Sequence, residues 1–361
     1  MREAGRCIDQ AHGENYSLYH GDSVKIAKGI PDNSIGLTVS SWPFSDQYSY
    51  SDELADMGNT EGEEEFFRQM DYLIPELLRI TIPGRLAVVH CKDRIVYGSK
   101  SEHGVLHIER FSDHVGGAME RHGWLFFGRI TISTDVVAEN TATHRLTQKE
   151  MRKDASKMGV GMPEYLMVFR KKPSEGTHSD EPVLVGDDYS VSRWQLDANS
   201  LWRSSGDRLL YPWETNGVYD YHHHIKHLED NVQHRRGSGA SMLEPLPVND
   251  NTWIMCNNID YRRTNVLNGK IARSDKDEKH VCPLQLDLIG RCIVRWSNPG
   301  DVVYDYFAGI GSVPVVAIEQ GRFGLGSELK QEYFEVGAKY CAEKEAQLKV
   351  PTLFDLAGVG K

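Results

Sequence analysis

A glycine-rich segment near the carboxyl end has the residue types of a loop that approaches a bound nucleotide. It reads FAGIGS, residues 307–312, and lies between a strand-like run, DVVYDYF, and a helix-like run. Glycines let the backbone come close to a ligand, and the N–H groups at a helix N-terminus favour an anionic group. The segment therefore predicts a nucleotide-like cofactor, with a tight ligand-free turn between strand and helix as the alternative.

Two further residues narrow the kind of cofactor. Glu328 lies 19 residues after Gly309, at the end of the next apolar run, from where a carboxylate can accept hydrogen bonds from ribose hydroxyls. The dinucleotide fingerprint has a third glycine three residues after the second, and this chain has Pro314 there. The pattern therefore disfavours NAD and favours a cofactor that has a ribose and no diphosphate.

A second motif lies far upstream, where the run GDSVKIAKGIPDNSIGLTVSSWPF ends in SWPF, residues 41–44. SWPF is similar to the (D/N/S)PP(Y/F) motif of the DNA amino-methyltransferases, and the glycine loop with Glu328 resembles their S-adenosylmethionine site. EKHVCPL, residues 278–284, resembles the family's motif X before an amphipathic helix. The catalytic motif comes first and the cofactor motif last, which is the order of the family's permuted β group. The resemblance covers about residues 16–135 and 278–345.

This resemblance implies a fold, a cofactor and a set of site residues. The fold is a circularly permuted, Rossmann-like α/β class I methyltransferase fold, and the cofactor is S-adenosylmethionine. The implied catalytic residues are Ser41, Trp42, Pro43 and Phe44. The implied cofactor-binding residues are Asp22, His280, Pro283, Asp305, Phe307, Gly309, Gly311 and Glu328. For Asp22 a plain helix N-cap is an equal alternative.

The chemistry explains why such a motif is needed. An exocyclic base amine is a poor nucleophile because its lone pair is delocalised into the ring, so acceptors around its two hydrogens favour the pyramidal, reactive nitrogen. The family implies Ser41 Oγ and the Trp42 carbonyl as these acceptors, and Phe44 as the face on which a flipped base stacks. Methylation at cytosine C5 instead requires a cysteine thiolate, which in that family of enzymes lies in a Pro-Cys dipeptide. No proline of this chain precedes a cysteine, so the C5 class is excluded.

Two departures from the family pattern weigh against catalysis. Trp42 stands where the family has proline, and Gly36 replaces the usual aspartate of the preceding strand. Two hypotheses therefore stay open, an active amino-methyltransferase and a catalytically impaired DNA-binding protein with the same fold. Serine first and phenylalanine fourth in the motif favour N4 of cytosine over N6 of adenine by a small margin. The permuted order and the long central segment disfavour RNA or protein as the substrate.

Hydrophobic periodicity predicts the elements that carry these motifs. Strands are expected over residues 16–20, 35–41, 85–90 and 124–133, with helices over 23–30, 63–82 and 107–122, and Pro83-Gly84 is expected to stop the second helix before its strand. Regular α/β character resumes at Cys282. The chain thus divides into a catalytic half, 1–136, an irregular target-recognition insertion, 137–278, and a cofactor-binding half, 279–361.

Charge constrains the mode of DNA binding. The chain has 361 residues, with 41 Lys and Arg against 52 Asp and Glu, for a formal net charge of −11. An acidic chain must bind duplex DNA through a local basic surface, and residues 141–175 hold eight basic against four acidic side chains. The expected phosphate contacts are Arg145, Lys149, Arg152, Lys153, Arg262 and Arg263. Ordinary solvated surface is the alternative for this segment.

The remaining expectations concern partners and location. His222, His223, His224 and His227 lack a spaced cysteine or carboxylate partner, so no metal site is expected. Scattered cysteines, no apolar leader and no run of about 18 apolar residues predict a cytoplasmic chain without a membrane span. A homodimer is common among the resembled enzymes, and the sequence leaves oligomeric state and a nuclease partner open.

Overall fold

The computed structural model describes residues 7–43, 56–132, 148–157, 164–187, 191, 265–267 and 284–350. The strands within these ranges are β1 (Asp9–His12), β2 (Tyr16–His20), β3 (Ile35–Ser41), β4 (Thr81–Lys92), β5 (Arg94–Val96), β6 (His107–Glu109), β7 (Leu125–Ile132), β8 (Glu164–Arg170), β9 (Val302–Asp305) and β10 (Phe323–Glu328). The helices are α1 (Ser23–Gly29), α2 (Glu63–Ile80), α3 (Phe111–Arg121), α4 (Gln148–Met151), α5 (Leu286–Trp296), α6 (Ser312–Glu319) and α7 (Gln331–Leu348).

Eight strands form one sheet in the order β1-β2-β10-β9-β3-β4-β8-β7. Its five central strands, β2, β10, β9, β3 and β4, are parallel to one another. β1 pairs antiparallel with β2 at one edge, and β8 pairs antiparallel with both β4 and β7 at the other. Because β2, β10, β9, β3 and β4 run the same way, their carboxyl ends meet at one edge of the sheet, where ligands bind in open α/β folds.

Helices cover both faces of this sheet. On one face α2 and α3 pack Phe66, Leu77 and Phe111 against strand residues such as Val89 and Phe169. On the other face α5 and α6 pack Leu288, Ile293 and Val313 against Leu37 and Val88. The adjacent β4 residues Val88 and Val89 thus face opposite layers, as the two-residue period of a strand requires. The three-layer arrangement confirms the predicted α/β class.

The described structure confirms several elements predicted near the amino terminus and corrects three boundaries. The β2, α1 and β3 segments match the predicted strand, helix and strand. The α2 helix ends at Ile80, and β4 already begins at Thr81 and continues through Pro83 and Gly84, where its register against β3 shifts. Gly84 has φ +85°, so the Pro-Gly pair forms an irregularity inside the strand and does not stop the helix. Residues 107–109 form β6, and the helix predicted there begins only at Phe111.

The predicted insertion, 137–278, also contains a strand of the core. β8, Glu164–Arg170, lies between β4 and β7 inside the main sheet, so the first part of the core extends at least to Arg170. Its run EYLMVFR is apolar enough to be a buried strand, but the surrounding basic residues led to its assignment to the insertion. Most of the remaining insertion lies outside the described residues.

The glycine that replaces the family's aspartate has a structural explanation. A Cβ atom at Gly36 would come within 2.8 Å of the carboxyl carbon of Asp301. Arg85 is buried beside them, forms an ion pair with Asp301 and donates from Nε to the Gly36 carbonyl (3.0 Å). The position is thus filled by a carboxylate from a neighbouring segment. It also lies at the amino end of β3, away from the SWPF motif, so Gly36 gives no reason to expect impaired catalysis.

Candidate active site

The SWPF motif and the glycine loop follow neighbouring strands at the same edge of the sheet. Ser41 ends β3, and Asp305 ends β9, which pairs with β3. A buried hydrogen bond joins the two strand ends, because Ser40 Oγ donates to Asp305 Oδ1 (2.7 Å). The same carboxylate oxygen accepts from the Phe307 N–H (3.0 Å). Asp305 therefore fixes the start of the glycine loop beside the end of the motif strand.

The glycine loop has the backbone geometry that its glycines predict. Gly309 has φ +53° and Gly311 has φ +83°, a region that side chains other than glycine rarely adopt. Gly311 is the N-cap of α6, and a Cβ there would come within 3.1 Å of Gly337 Cα. A Cβ at Gly309 would meet no atom of the described residues within 4 Å. Gly311 therefore serves packing against α7, whereas Gly309 leaves open space at the loop.

Pro314 lies in the first turn of α6 and changes how this helix packs on the sheet. Cβ atoms at Gly324 and Gly326 of β10 would come within 2.6 Å of the Pro314 carbonyl oxygen and 3.2 Å of its ring, respectively. The close helix–strand approach that a third loop glycine provides in dinucleotide folds is thus provided here by glycines of the strand.

Glu328 lies at the end of β10, across the loop. Its Oε2 accepts from the Gly309 N–H (2.7 Å) and its Oε1 accepts from the Lys330 N–H (2.8 Å). Burial raises the pKa of Glu328 to about 7 and the pKa of Asp305 to about 7. Two carboxyl groups whose ionised form is penalised by burial would gain from a nearby cation. The carboxyl oxygens of Glu328 and Asp305 therefore fit a ligand that combines ribose hydroxyls, which donate hydrogen bonds, with a positive charge.

Asp22 acts as the N-cap of α1. Its Oδ1 accepts from the Val24 N–H (2.9 Å), which is the structural alternative weighed for this residue. Gly21 separates Asp22 from the end of β2, and its N–H donates to the Glu328 carbonyl (2.8 Å). The cap therefore lies beside the end of β10, and its second carboxylate oxygen lies 3.5 Å from Lys25.

The indole of Trp42 is buried in the core. Trp42 is 1% exposed, packs edge-on against Phe66, and donates from Nε1 to the Tyr306 hydroxyl (2.5 Å). Its backbone N–H donates to the His90 carbonyl (3.1 Å), a bond that the family's proline could not make. The bulk of the side chain is thus accommodated by the β9–α6 loop and α2. The tryptophan anchors the motif where the family uses a stiff proline pair.

His90, which the sequence analysis missed, contacts the motif, and Glu164, which it also missed, contacts His90. The Ser41 hydroxyl is 2.9 Å from His90 Nδ1, and His90 Nε2 is 3.1 Å from Glu164 Oε2. A polar histidine at the end of the apolar run RLAVVH was a usable signal for His90. Glu164 was missed because β8 was assigned to the insertion.

The basic side chains of the segment 141–175 divide into exposed and structural ones. Lys149, Arg152 and Lys153 are exposed on and after α4, and Lys153 pairs with Glu150 (2.8 Å). Lys171, by contrast, donates to Asn33 Oδ1 and to the Arg79 and Thr81 carbonyls, so it ties β8 to the end of α2. The basic surface is therefore narrower than the segment 141–175. Phe44, Arg145, Arg262, Arg263, His280, Pro283 and the four histidines of 222–227 lie outside the described residues.

Two further features of the described ranges bear on the predictions. None of their helices is long and apolar enough to cross a membrane. The same residues contain no group of three or more His, Cys, Asp or Glu side chains that could hold a metal ion.

Fold and site together define a Rossmann-like α/β protein with a nucleotide-type glycine loop beside a polar strand end. The profile of the family described as DNA methylase matches residues 35–339. The chain belongs to this family, which confirms the resemblance recognised in its motifs.

Individual relatives are more distant. The chain is 32% identical over 135 residues to the DNA adenine methyltransferase YhdJ of Escherichia coli K12. This alignment covers 33% of this chain and 42% of that enzyme. It is 38% identical over 72 residues to the type II methyltransferase M1.MboII of Moraxella bovis, covering 20% and 26%. The alignments thus span less than half of each relative. The PvuII cytosine-N4-specific DNA methyltransferase has a TM-score of 0.52, with 13% identity over 95% of this chain and 96% of that one, and supports the fold.

Proposed function

We propose that this chain transfers a methyl group from S-adenosylmethionine to the exocyclic amine of a base in double-stranded DNA. The carrying observation is the joint placement of Ser41 and the glycine loop at adjacent strand ends, coupled through the Ser40–Asp305 hydrogen bond (2.7 Å). A group that binds the amine and a loop that binds the methyl donor must be neighbours for direct transfer.

Bound S-adenosylmethionine supplies an electrophilic methyl group on a sulfonium sulfur. Gly309, Gly311 and Glu328 would hold it through the loop backbone and the ribose hydroxyls, with Asp305, Phe307 and Asp22 around them. The buried carboxyl groups of Asp305 and Glu328, each with its pKa raised to about 7 by burial, suit its positive charge. His280 and Pro283 are proposed for the same site from the sequence alone.

On the substrate side, Ser41 Oγ and the Trp42 carbonyl would accept the two hydrogens of the amine, and Phe44 would stack on the base. Pro43 would fix the backbone between them. A base stacked inside a duplex cannot reach Ser41 at the carboxyl end of β3, so we propose that the target base is flipped out. The burial of the Trp42 indole supports an active site over an impaired one, since the side chain does not occupy the strand end.

The target base is proposed as cytosine N4, on the serine and phenylalanine of the motif. Adenine N6 is the second candidate, and the identity with an adenine methyltransferase favours it. Residues of the span 137–278 other than β8 are proposed to recognise the DNA sequence. The basic side chains Lys149, Arg152 and Lys153, together with Arg145, Arg262 and Arg263, are proposed to contact phosphates. A type II relative makes a paired nuclease plausible without identifying one.

The first prediction tests methyl transfer directly. Purified protein is incubated with duplex DNA and methyl-labelled S-adenosylmethionine, and the digested nucleosides are separated by mass spectrometry. We expect N4-methylcytosine, with N6-methyladenine as the outcome that favours the second candidate. Ser41→Ala should lower the rate on the order of 100-fold, because it removes one acceptor that stabilises the transition state.

The matched control is Ser34→Ala. Ser34 lies just before β3 at its amino end and donates to the Pro31 carbonyl (2.8 Å), so its loss should leave the rate unchanged. Protein that binds both S-adenosylmethionine and DNA but incorporates no label would overturn the proposal and establish the impaired alternative.

A further inference from the structure

A chain of three hydrogen-bonding side chains runs from the motif into the protein interior. Ser41 Oγ lies 2.9 Å from His90 Nδ1, and His90 Nε2 lies 3.1 Å from Glu164 Oε2. Ser41 is partly exposed at the strand end, whereas His90 and Glu164 are 7% and 5% exposed. The three residues come from three strands, β3, β4 and β8, and Ser41 is in register with His90. The chain thus connects a substrate-facing hydroxyl to a buried imidazole and a buried carboxyl group.

The chemistry of the end groups sets the direction of these hydrogen bonds. When Glu164 is ionised its carboxylate can only accept, and Nε2 of His90 then carries the hydrogen that faces it. In the neutral ring Nδ1 is then an acceptor, and the Ser41 hydroxyl donates to it. With its hydrogen directed at His90, Ser41 Oγ presents lone pairs to the strand end. A serine, which could otherwise donate or accept, is thereby fixed as an acceptor.

The surroundings of His90 contain charges of both signs. Glu164 lies diagonally across from it on β8, and Lys92 lies two residues along β4 on the same face, in register with Glu164. Arg129 on β7 stacks over Tyr165 of β8, on the opposite face of the sheet. The helix α5 packs over β3 and β4 and carries Asp287, Arg291 and Arg295. Glu164 is hydrogen-bonded to the imidazole, so it acts strongly on a charge there.

We propose that Ser41, His90 and Glu164 form a proton relay for the methyl transfer. This inference rests on the proposed function. In the step, the amine lone pair forms the N–C bond, and the C–S bond breaks with its electron pair left on sulfur. One N–H bond of the amine then breaks, its proton goes to Ser41 Oγ, and the hydroxyl proton of Ser41 moves to His90 Nδ1. The imidazolium formed is stabilised by the Glu164 carboxylate and later releases its proton to solvent.

The relay accounts for a proton that the reaction must release. Methylation converts a neutral amine and a cationic donor into a neutral methylamine, a neutral sulfide and one proton. If His90 only held Ser41 in place, any buried side chain that forms a hydrogen bond with Ser41 could replace it. A relay requires in addition that Nδ1 of His90 be unprotonated before the reaction, because a protonated ring cannot accept the hydroxyl proton. His90 and Glu164 act through Ser41 and are therefore positioning residues.

The second prediction uses a readout that needs neither cofactor nor activity. In cofactor-free protein with ¹⁵N-labelled histidines, the His90 signals are assigned by their loss in His90→Gln. We expect Nε2 to carry the hydrogen and Nδ1 to be unprotonated at the pH of maximal activity. A neutral ring with the hydrogen on Nδ1 would overturn the proposal, since Ser41 could then not donate to it.

The pH profile of kcat then tests the transfer step. Wild-type kcat should fall on acidification in parallel with the protonation of His90 recorded by NMR, because the relay needs an unprotonated Nδ1. His90→Gln should lower kcat about 100-fold with KM little changed, and should remove this acid limb. Glu164→Gln keeps an acceptor for Nε2 but removes the charge, so its acid limb should move to lower pH with a kcat about 10-fold lower.

His122→Gln is the matched control. His122 Nε2 is 2.7 Å from Asp71 Oδ1 at the end of α3, a histidine–carboxylate pair without a serine and away from the strand ends. It should reproduce the wild-type profile. An acid limb that persists in His90→Gln, with S-adenosylmethionine binding retained, would overturn the relay while leaving methyl transfer intact. If His90→Gln fails to fold, the relay is tested by the shift of the acid limb in Glu164→Gln and by the tautomer of His90 in the wild-type protein. A wild-type protein that transfers no methyl group would instead overturn the proposed function, and the tautomer would still test the orientation of Ser41.

Discussion

At the scale of single residues, the departure from the family motif is compensated by a contact that is distant in sequence. Trp42 stands where the family has proline, and its indole is held by Tyr306, which lies 264 positions further along the chain and directly precedes the glycine loop. The tryptophan therefore couples the SWPF motif to the start of the glycine loop through the core. From the sequence alone, the bulk of the Trp42 indole weighs against catalysis, because nothing in the local pattern indicates where an indole can be buried.

The third prediction follows from this buried pair. Trp42→Phe leaves the Tyr306 hydroxyl without its indole donor, and Tyr306→Phe leaves the indole N–H without its acceptor. Each change should lower the free energy of unfolding by about 1–3 kcal/mol, since a buried polar group loses its partner. The double variant should cost less than the sum, because it removes both polar atoms of the pair. Urea-induced unfolding measures all three, and strictly additive costs would contradict the coupling.

At the scale of elements, the glycine loop separates two uses of positive φ. Both glycines have positive φ, but Gly311 is also required by the close approach of Gly337, whereas Gly309 faces open space within the described residues. The fourth prediction concerns the variant Gly309→Ala. It should lower the free energy of unfolding by about 1–2 kcal/mol, the cost of an alanine in the left-handed conformation. It should weaken the binding free energy of S-adenosylmethionine by more than that amount. Equilibrium dialysis measures the binding and urea-induced unfolding the stability.

Gly321→Ala supplies the control for this comparison. Gly321 has φ +70°, and a Cβ there would also meet no atom of the described ranges within 4 Å, but it precedes β10 at the amino end of that strand. It should lose a similar amount of stability and keep full affinity for the cofactor. Equal loss of affinity in both variants would show that the open space at Gly309 is not part of the site.

The same scale shows which elements the sequence could predict. Strands with continuous apolar runs, such as β3 and β9, and the strongly periodic α2 were identifiable because burial alone dictates their pattern. The strand β8 was missed because its neighbours in sequence are polar and basic, and its partners, β4 and β7, are non-local. The Ser41–His90–Glu164 chain was missed for the same reason, since strand order brings its members together and sequence spacing does not.

At the scale of the whole molecule, the proposed DNA binding requires a local basic surface on an acidic chain. The net charge of −11 repels a polyanion, so the basic groups proposed to contact DNA must outweigh a general repulsion. The structure removes Lys171 from that set by giving it three oxygen partners within the fold. It leaves Lys149 and Arg152 exposed on and after α4.

The fifth prediction tests this surface through salt. Each phosphate contact contributes a slope of about −0.9 in log affinity against log salt, so Lys149→Ala/Arg152→Ala should make the slope shallower by up to about 2. Fluorescence anisotropy of a labelled duplex across a potassium chloride series gives the slopes. Lys28→Ala/Lys339→Ala removes the same charge from exposed positions on α1 and α7 and should leave the slope unchanged, although it makes the chain more acidic by the same amount. Equal effects of the two double variants would mean that overall charge, and no local surface, controls binding.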